Sequence, residues 1–199
     1  MFHSRALAAC AASAACAASA ACITGSARAD EKLGAVRSSL RLSDARAIVD
    51  ATLDCGRRAR CLPLAVMVLD SGGAPVCFAR EDGCGLLRHD IARAKAWTCL
   101  AMGMSSRALR DRFATRSAFL GALSDVSAGR LAPAPGGVLI VDADGEVVGA
   151  VGVSGDASDK DEACAIDAVR RAGFASDPLR PAANWEHADL SGSTPSSGR

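Results

Sequence analysis

The chain has 199 residues, half of them apolar and about a quarter charged, which suits one ordinary domain with a proper core and excludes disorder across its body. The formal charge of +1 is near balance, and two Trp, five Phe and no Tyr give neither the basic footprint nor the stacking platforms of a nucleic-acid binder. No stretch beyond the first 29 residues has the length and apolarity of a membrane span.

Residues 1–29 read as a targeting segment. They carry Arg5 and Arg28 but no acid, an Ala/Ser/Cys run, and the small-x-small site Ala27-Arg28-Ala29. The expectation is export to a periplasmic or extracellular space, with an organelle transit peptide or a misassigned start as alternatives. A helix is predicted next over "LSDARAIVDATLDCGRRAR", with Ser43 as N-cap and Ala45, Ile48, Val49 and Leu53 at helical spacing. "LPLAVMVLD", the turn Ser71–Gly73 and "APVCFAR" predict a β-hairpin. A glycine-containing loop leads into a helix over "HDIARAKAWTCLAMG" and a shorter one over "SSRALRDRF". The span 114–135 reads as one irregular helix and a loop. "GGVLIVD", "ADG" and "EVVGAVGVS" predict a second hairpin, followed by a helix over 159–172 and a disordered Pro/Ser/Gly-rich tail from Asp177. The order α-β-β-α-α-β-β-α points to an α+β domain over residues 40–174, with helices packed on an antiparallel sheet.

The segment "GAVGVSGDASDKDE" tests several chemistries. Its glycines follow GxxGxxG, neither a dinucleotide turn nor a phosphate loop. A calcium loop starting at Asp156 fails because Lys160 falls where an oxygen ligand belongs. No GxSxG nucleophile turn is present. What fits is a strand running into a helix capped by Asp159, with Glu162 three residues on. Ser154 and Gly155 end the strand where a ligand could approach exposed amides.

Charge placement adds a second signal. At about 100° per residue, Ala94, Thr98 and Met102 fall within about 60° of Ile91, and Lys95 within about 40°. A lysine inside an apolar stripe must snorkel, pair with an acid or line a pocket. Asp161 and Glu162 flank the apolar arc of the last helix, so an ion pair of Lys95 with these carboxylates is expected near the mouth of a cavity. His89 is the one histidine in the body, since His3 lies in the leader and His187 in the tail. It projects about 160° from Ile91, on the side of Arg93. A His-rich zinc site and a Ser-His-Asp triad are therefore improbable. Six cysteines (Cys55, Cys61, Cys77, Cys84, Cys99, Cys164) lie beyond the leader without CxxC or zinc spacing, and small core residues are the expected reading. Between Arg80 and Arg116, eight basic residues face four acids, a bias suited to an anionic ligand or to ordinary solvated helix faces.

Together "VLDSGGAPVCFAREDG", "DIARAKAWT" and "PGGVLIVDADGEVVGAVGVSGDASDKDEACA" resemble the GlcG/HbpS family, the haem-degrading or PduO C-terminal-like domain, over about Leu40 to Gly173. The resemblance implies an α+β fold with an antiparallel sheet, homo-oligomers from dimer to octamer, and haem or corrinoid-type tetrapyrrole ligands, with glycolate utilisation in some members. No adenosyltransferase domain is expected before the matching region, so the cobalamin-synthesis activity of a full-length PduO is not expected either. Lys95 and Asp161 match the family's DIA-x-x-KA and DE positions, Arg80 and Asp82 its Arg-x-Asp, and Gly136 and Gly137 its PGGV. His89 is the expected haem-iron ligand, with Met102 or Thr98 as weaker candidates, and Arg80, Arg88 or Arg93 would meet the propionates. The tetrapyrrole reading therefore draws on His89, Arg80, Asp82, Arg93, Lys95, Thr98, Gly136, Gly137, Ser154 and Gly155. The alternative is enzymatic: Lys95 with Asp161 and Glu162 would act on a small hydroxy- or keto-acid, the lysine orienting the carboxylate or serving as base. A purely structural accessory subunit is the third reading.

Overall fold

The computed structural model describes residues 37–190. The predicted targeting segment at 1–29 and the last nine residues of the tail lie outside them. The elements are α1 (Leu42–Arg58), β1 (Ala65–Asp70), β2 (Pro75–Arg80), α2 (Arg88–Met102), α3 (Ser106–Arg112), α4 (Ser117–Val126), β3 (Gly137–Val141), β4 (Val147–Ser154), α5 (Ser158–Arg171) and β5 (Ala175–Asp177), then a 3₁₀ turn at Trp185–His187. The five strands form one antiparallel sheet in the order β2-β1-β4-β3-β5. Both predicted hairpins are present, and they meet where β4 pairs with β1.

Each hairpin turn is built on an aspartate that ends the first strand or directly follows it. Asp70 Oδ1 accepts the amides of Gly72 and Ala74, both at 2.9 Å. Asp142 Oδ1 likewise accepts those of Asp144 and Glu146, at 3.0 and 2.9 Å. A short carboxylate that satisfies two turn amides fixes the reversal locally, which is why both hairpins are legible from "LDSGG" and "VDADG".

The sheet separates two apolar layers. On one face α1 and α5 bury Ile48, Val49, Ile166 and Val169 against Val66, Val68, Ile140, Val151 and Val153. On the other, α2 sets Ala92, Ala96 and Cys99 against Ala65, Met67, Leu69, Leu139 and Ala150. Alternation along the strands supplies both faces.

Glycine decides how closely α2 lies on the sheet. Gly137 of β3 and Gly152 of β4 are direct register partners. A Cβ on Gly152 would strike the Ala92 carbonyl, and one on Gly137 the Lys95 carbonyl and Cys99 Sγ. The GxxGxxG spacing is therefore a packing device: Gly149 lies against the Leu69 carbonyl and Gly155 against that of Pro63. The buried face of α2 is correspondingly one of small residues, Ala92, Ala96 and Cys99 with Lys95 and Thr98, while Ile91 is only half-buried. The stripe centred on Ile91 is thus corrected, because close approach favours small side chains over large apolar ones.

Two expected caps are also corrected. α1 starts at Leu42 with Arg41 at its N-cap, leaving Ser43 inside the first turn and bonded to Asp44 Oδ1. α5 starts at Ser158 with Ala157 at its N-cap, so Asp159 sits in the first turn. Glu162 does not reach back to the cap because its carboxylate is buried against Arg107. The tail read as disordered carries order as far as it is described. β5 pairs with β3, Asp177 Oδ2 accepts the Ser105 amide at 3.0 Å, and Ser176 Oγ donates to the Pro178 carbonyl.

Candidate functional site

The expected ion pair forms between Lys95 and Asp161, and Glu162 takes no part in it. Lys95 reaches from α2 around the end of β4 to Asp161 of α5, with Nζ 3.0 Å from Asp161 Oδ2 and 2.9 Å from the Val153 carbonyl it donates to. Both side chains are buried, at 2% and 0% exposure. Asp161 Oδ1 accepts the Asp156 amide at 3.1 Å. Burial pushes the Asp161 carboxyl above its ordinary range, opposed by the Lys95 ammonium and the Asp156 amide. Gly136 (φ +115°) lies directly against Lys95 Nζ, where a Cβ would come within 2.7 Å. The lysine is thus enclosed by Asp161, Val153 and Gly136. It has no open approach for a substrate, and a role as base would require breaking a buried pair.

Glu162 belongs to a different contact. It pairs with Arg107 of α3, whose Nε is 2.9 Å from Oε2 and donates to Oε1 at 3.2 Å. Arg107 also donates to the Arg180 carbonyl at 2.7 Å. Oε2 has no aligned hydrogen-bond donor among the described residues, and burial raises the Glu162 carboxyl to about 7.

Beyond the buried pair the surface opens into a cleft of about 660 Å³, lined by Arg88, Arg110, Pro135, Asp156 and Asp159 among others. Arg88 Nη1 donates to the Ser154 hydroxyl at 3.4 Å, linking the cleft to the end of β4. Of the residues expected together, Lys95, Asp161, Gly136 and Ser154 meet here. Gly137 and Gly155 are buried in packing contacts. Thr98 is fully used, since Oγ1 donates to the Ala94 carbonyl at 2.7 Å and accepts the Ala132 amide at 2.8 Å.

The remaining candidates lie apart from this cluster. His89 is 40% exposed at the start of α2 and sits edge-on to Phe78 of β2, with ring centroids 6.2 Å apart. Its Nδ1 is 2.9 Å from the Leu86 carbonyl, and Nε2 is 3.1 Å from Asp90 Oδ1. Phe78 and Arg80 share one face of the edge strand β2, and Leu86 and Leu87 beside His89 are 79% and 67% exposed. Arg93 lies one helical turn beyond His89 and lines a separate cleft with Trp97 and Arg130. Asp82 is exposed at the rim of a cleft shared with Arg57 and Arg80. Sequence reasoning missed Arg107 and Phe78, whose relevance appears only once α3 meets α5 and β2 meets α2. Among the described residues no helix is long and apolar enough to cross a membrane.

A sandwiched antiparallel sheet whose two helical layers are joined by a buried lysine–aspartate pair defines the class. The model of the HbpS-like family of haem-degrading proteins matches residues 40–170, and the chain belongs to that family. The fold is that of a solved PduOC:heme complex (24% identity, TM-score 0.64, covering 69% of this chain and 98% of that one) and of Klebsiella pneumoniae protein ORFY (24%, 0.62, 71% and 95%). HbpS itself is 26% identical, with a TM-score of 0.59 over 73% of this chain and 97% of that one. No curated protein matches the chain.

Proposed function

We propose that the chain binds haem or a related tetrapyrrole, with His89 as the axial ligand. The observation that carries this reading is the setting of His89. In the tautomer that donates Nδ1–H to the Leu86 carbonyl, 2.9 Å away, the Nε2 lone pair is left for a metal, as in a ligating histidine oriented by its other ring nitrogen. Asp90 competes for the same nitrogen when the ring is protonated. Phe78, Leu86 and Leu87 supply an exposed apolar shelf for a macrocycle, and Arg80, Arg88 or Arg93, each lining a different cleft, would meet propionates. Bound there, the iron would supply ligand-exchange and redox chemistry, and the protein's part is to hold and shield it. Membership of a haem-degrading family and the likeness to a heme-complexed relative support the assignment.

One shelf covers one side of a flat ligand, so a second copy of the chain completes the site in this reading, as a homo-oligomer in an exported setting. The leucines' exposure and the acid-free N-terminal segment support those two parts.

A hemin titration followed by absorption tests the assignment. The expected result is a saturable Soret-type band at about one equivalent or less per chain, with an altered ligand-field signature in His89→Ala. Absorption indistinguishable from free hemin overturns tetrapyrrole binding. An unchanged band in His89→Ala overturns the ligand alone.

A further inference from the structure

The helix α4 is rich in apolar residues, yet none of its ten residues is buried in the fold. At about 100° per residue, Ala122, Leu123 and Val126 fall within about 60° of Phe119, whereas Ser117, Ser124 and Asp125 lie about 120° or more away. Phe119 and Val126 are 43% and 85% exposed, Ala118 and Ala122 are exposed as well, and Leu120 and Leu123 are half-buried. The helix is nonetheless tethered at both ends. Before it, Phe113 is buried, with its ring centroid 5.2 Å from that of Phe119. After it, the Arg130 guanidinium stacks 4.3 Å from the Trp97 ring of α2 and donates to the Ser127 carbonyl, and the Ala132 amide donates to Thr98. The apolar stripe is therefore held on the surface rather than left on a frayed end.

The charge beside this stripe is positive and largely unneutralised. From Arg107 to Arg130 five arginines stand against two aspartates, in a chain whose formal charge is only +1. Arg107 pairs with Glu162, and Arg110 with Asp111. Among the described residues no carboxylate pairs with Arg112, Arg116 or Arg130. The Arg116 guanidinium lies 4.9 Å from the Phe119 ring centroid and 5.7 Å from that of Phe113, and Arg112 lies 6.0 Å from Phe113. Two cations without a carboxylate thus border the aromatic end of the stripe.

We propose that α4 docks on an anionic lipid surface, with Phe119, Ala122 and Val126 in the boundary between headgroups and acyl chains and Arg112 and Arg116 on lipid phosphates. Ten helical residues reach about 15 Å, about half of a hydrocarbon core, so the helix lies on a bilayer and does not cross it. A protein groove reads large anchors on successive turns of a helix. Here Ala118, Gly121 and Ala122 are small and Leu123 is turned half inward, which leaves such a groove little to grip. Shallow insertion asks only for apolar area with cations beside it, which is what α4 and its two arginines present. Each arginine near an anionic surface strengthens binding about fivefold, and added salt weakens the attraction.

The test uses the full chain free of hemin, so its outcome is independent of the tetrapyrrole reading. Co-sedimentation is measured with vesicles of phosphatidylcholine alone and of equal parts phosphatidylcholine and phosphatidylglycerol. The expected result is binding to the mixed vesicles that salt weakens, and at least about tenfold less of it in Arg112→Gln/Arg116→Gln. Val126→Ser, at a site too exposed to disturb the fold, is expected to weaken binding as well. In Phe119→Trp, read against the unsubstituted chain, added emission at shorter wavelength and its quenching by brominated lipid would place this face in the boundary. Binding that is absent, or equal on the two kinds of vesicle, overturns the proposal. So does binding that both sets of variants leave unchanged, which would assign it to another part of the chain. Absent vesicle binding together with a smaller oligomer in Val126→Ser, by light scattering, would give the face to a second copy of the chain instead.

Discussion

Lys95 Nζ and Asp161 Oδ2 lie 3.0 Å apart although their helices cover opposite faces of the sheet. The pair passes around the end of β4, where the Val153 carbonyl takes a second proton of the ammonium. Removing one member leaves a buried charge without its partner. Lys95→Met is expected to cost about 3–5 kcal/mol in urea unfolding, and the double variant Lys95→Met/Asp161→Asn to recover at least half of that. A single variant within about 1 kcal/mol of the parent would place the two charges in water rather than in the core.

Glu162 gives the protein a pH dependence of definite sign. Burial raises its carboxyl from 4.5 to about 7, so between those values the folded chain holds a proton that the unfolded chain has lost. The associated stability is fully present below about pH 4.5 and is lost as pH rises through 7, amounting to about 3 kcal/mol. Glu162→Gln should flatten the unfolding free energy between pH 5 and pH 8, as scans at a series of pH values would show. An unchanged slope would mean that Arg107 holds the carboxylate ionised throughout.

Two glycine substitutions are expected to act in opposite directions. Gly152→Ala drives a methyl into the Ala92 carbonyl and should cost about 2–3 kcal/mol. Gly121→Ala on α4 meets nothing within 4 Å and should gain up to about 1 kcal/mol from helix propensity. Paired thermal melts measure both, and equal effects would refute the close approach of α2 to β4.

Thr98 anchors the loop before β3 rather than facing a ligand. Thr98→Val keeps the shape but leaves the Ala132 amide without its acceptor, at an expected cost of about 1–2 kcal/mol. Hydrogen exchange at Ala132 should accelerate in the variant while hemin binding stays unchanged. Loss of hemin binding with Ala132 still protected would return Thr98 to the ligand set.

The signals that were legible in the sequence share one property: each is carried by residues close in the chain or repeated at a fixed period. The aspartate-and-glycine turns predict both hairpins, and a lysine within an apolar helical stripe predicts a buried partner. Glu162 was joined to Lys95 because both lean inward, yet its partner is Arg107, whose helix meets α5 only through the tertiary fold. β5 is three residues of "ASD", too short for any period to mark, and exists because β3 offers it an edge. The caps lie two residues earlier than the sequence suggests, at Arg41 and Ala157, neither of which makes a side-chain cap bond.

The position of β4 dictates the order in which this molecule can be completed. Emerging from the ribosome, the chain lays down β1, β2, α2 and β3 before the strand that must sit between β1 and β3. Until β4 arrives the two halves of the sheet share no ladder, the notch that seats α2 is half made, and Lys95 has neither its carbonyl nor its carboxylate. The last helix then delivers Asp161 to an ammonium that water has held through most of synthesis. Assembly is therefore a closing event governed by the C-terminal third, and a nascent chain arrested before residue 161 carries an unmated cation where the finished protein has an enclosed ion pair.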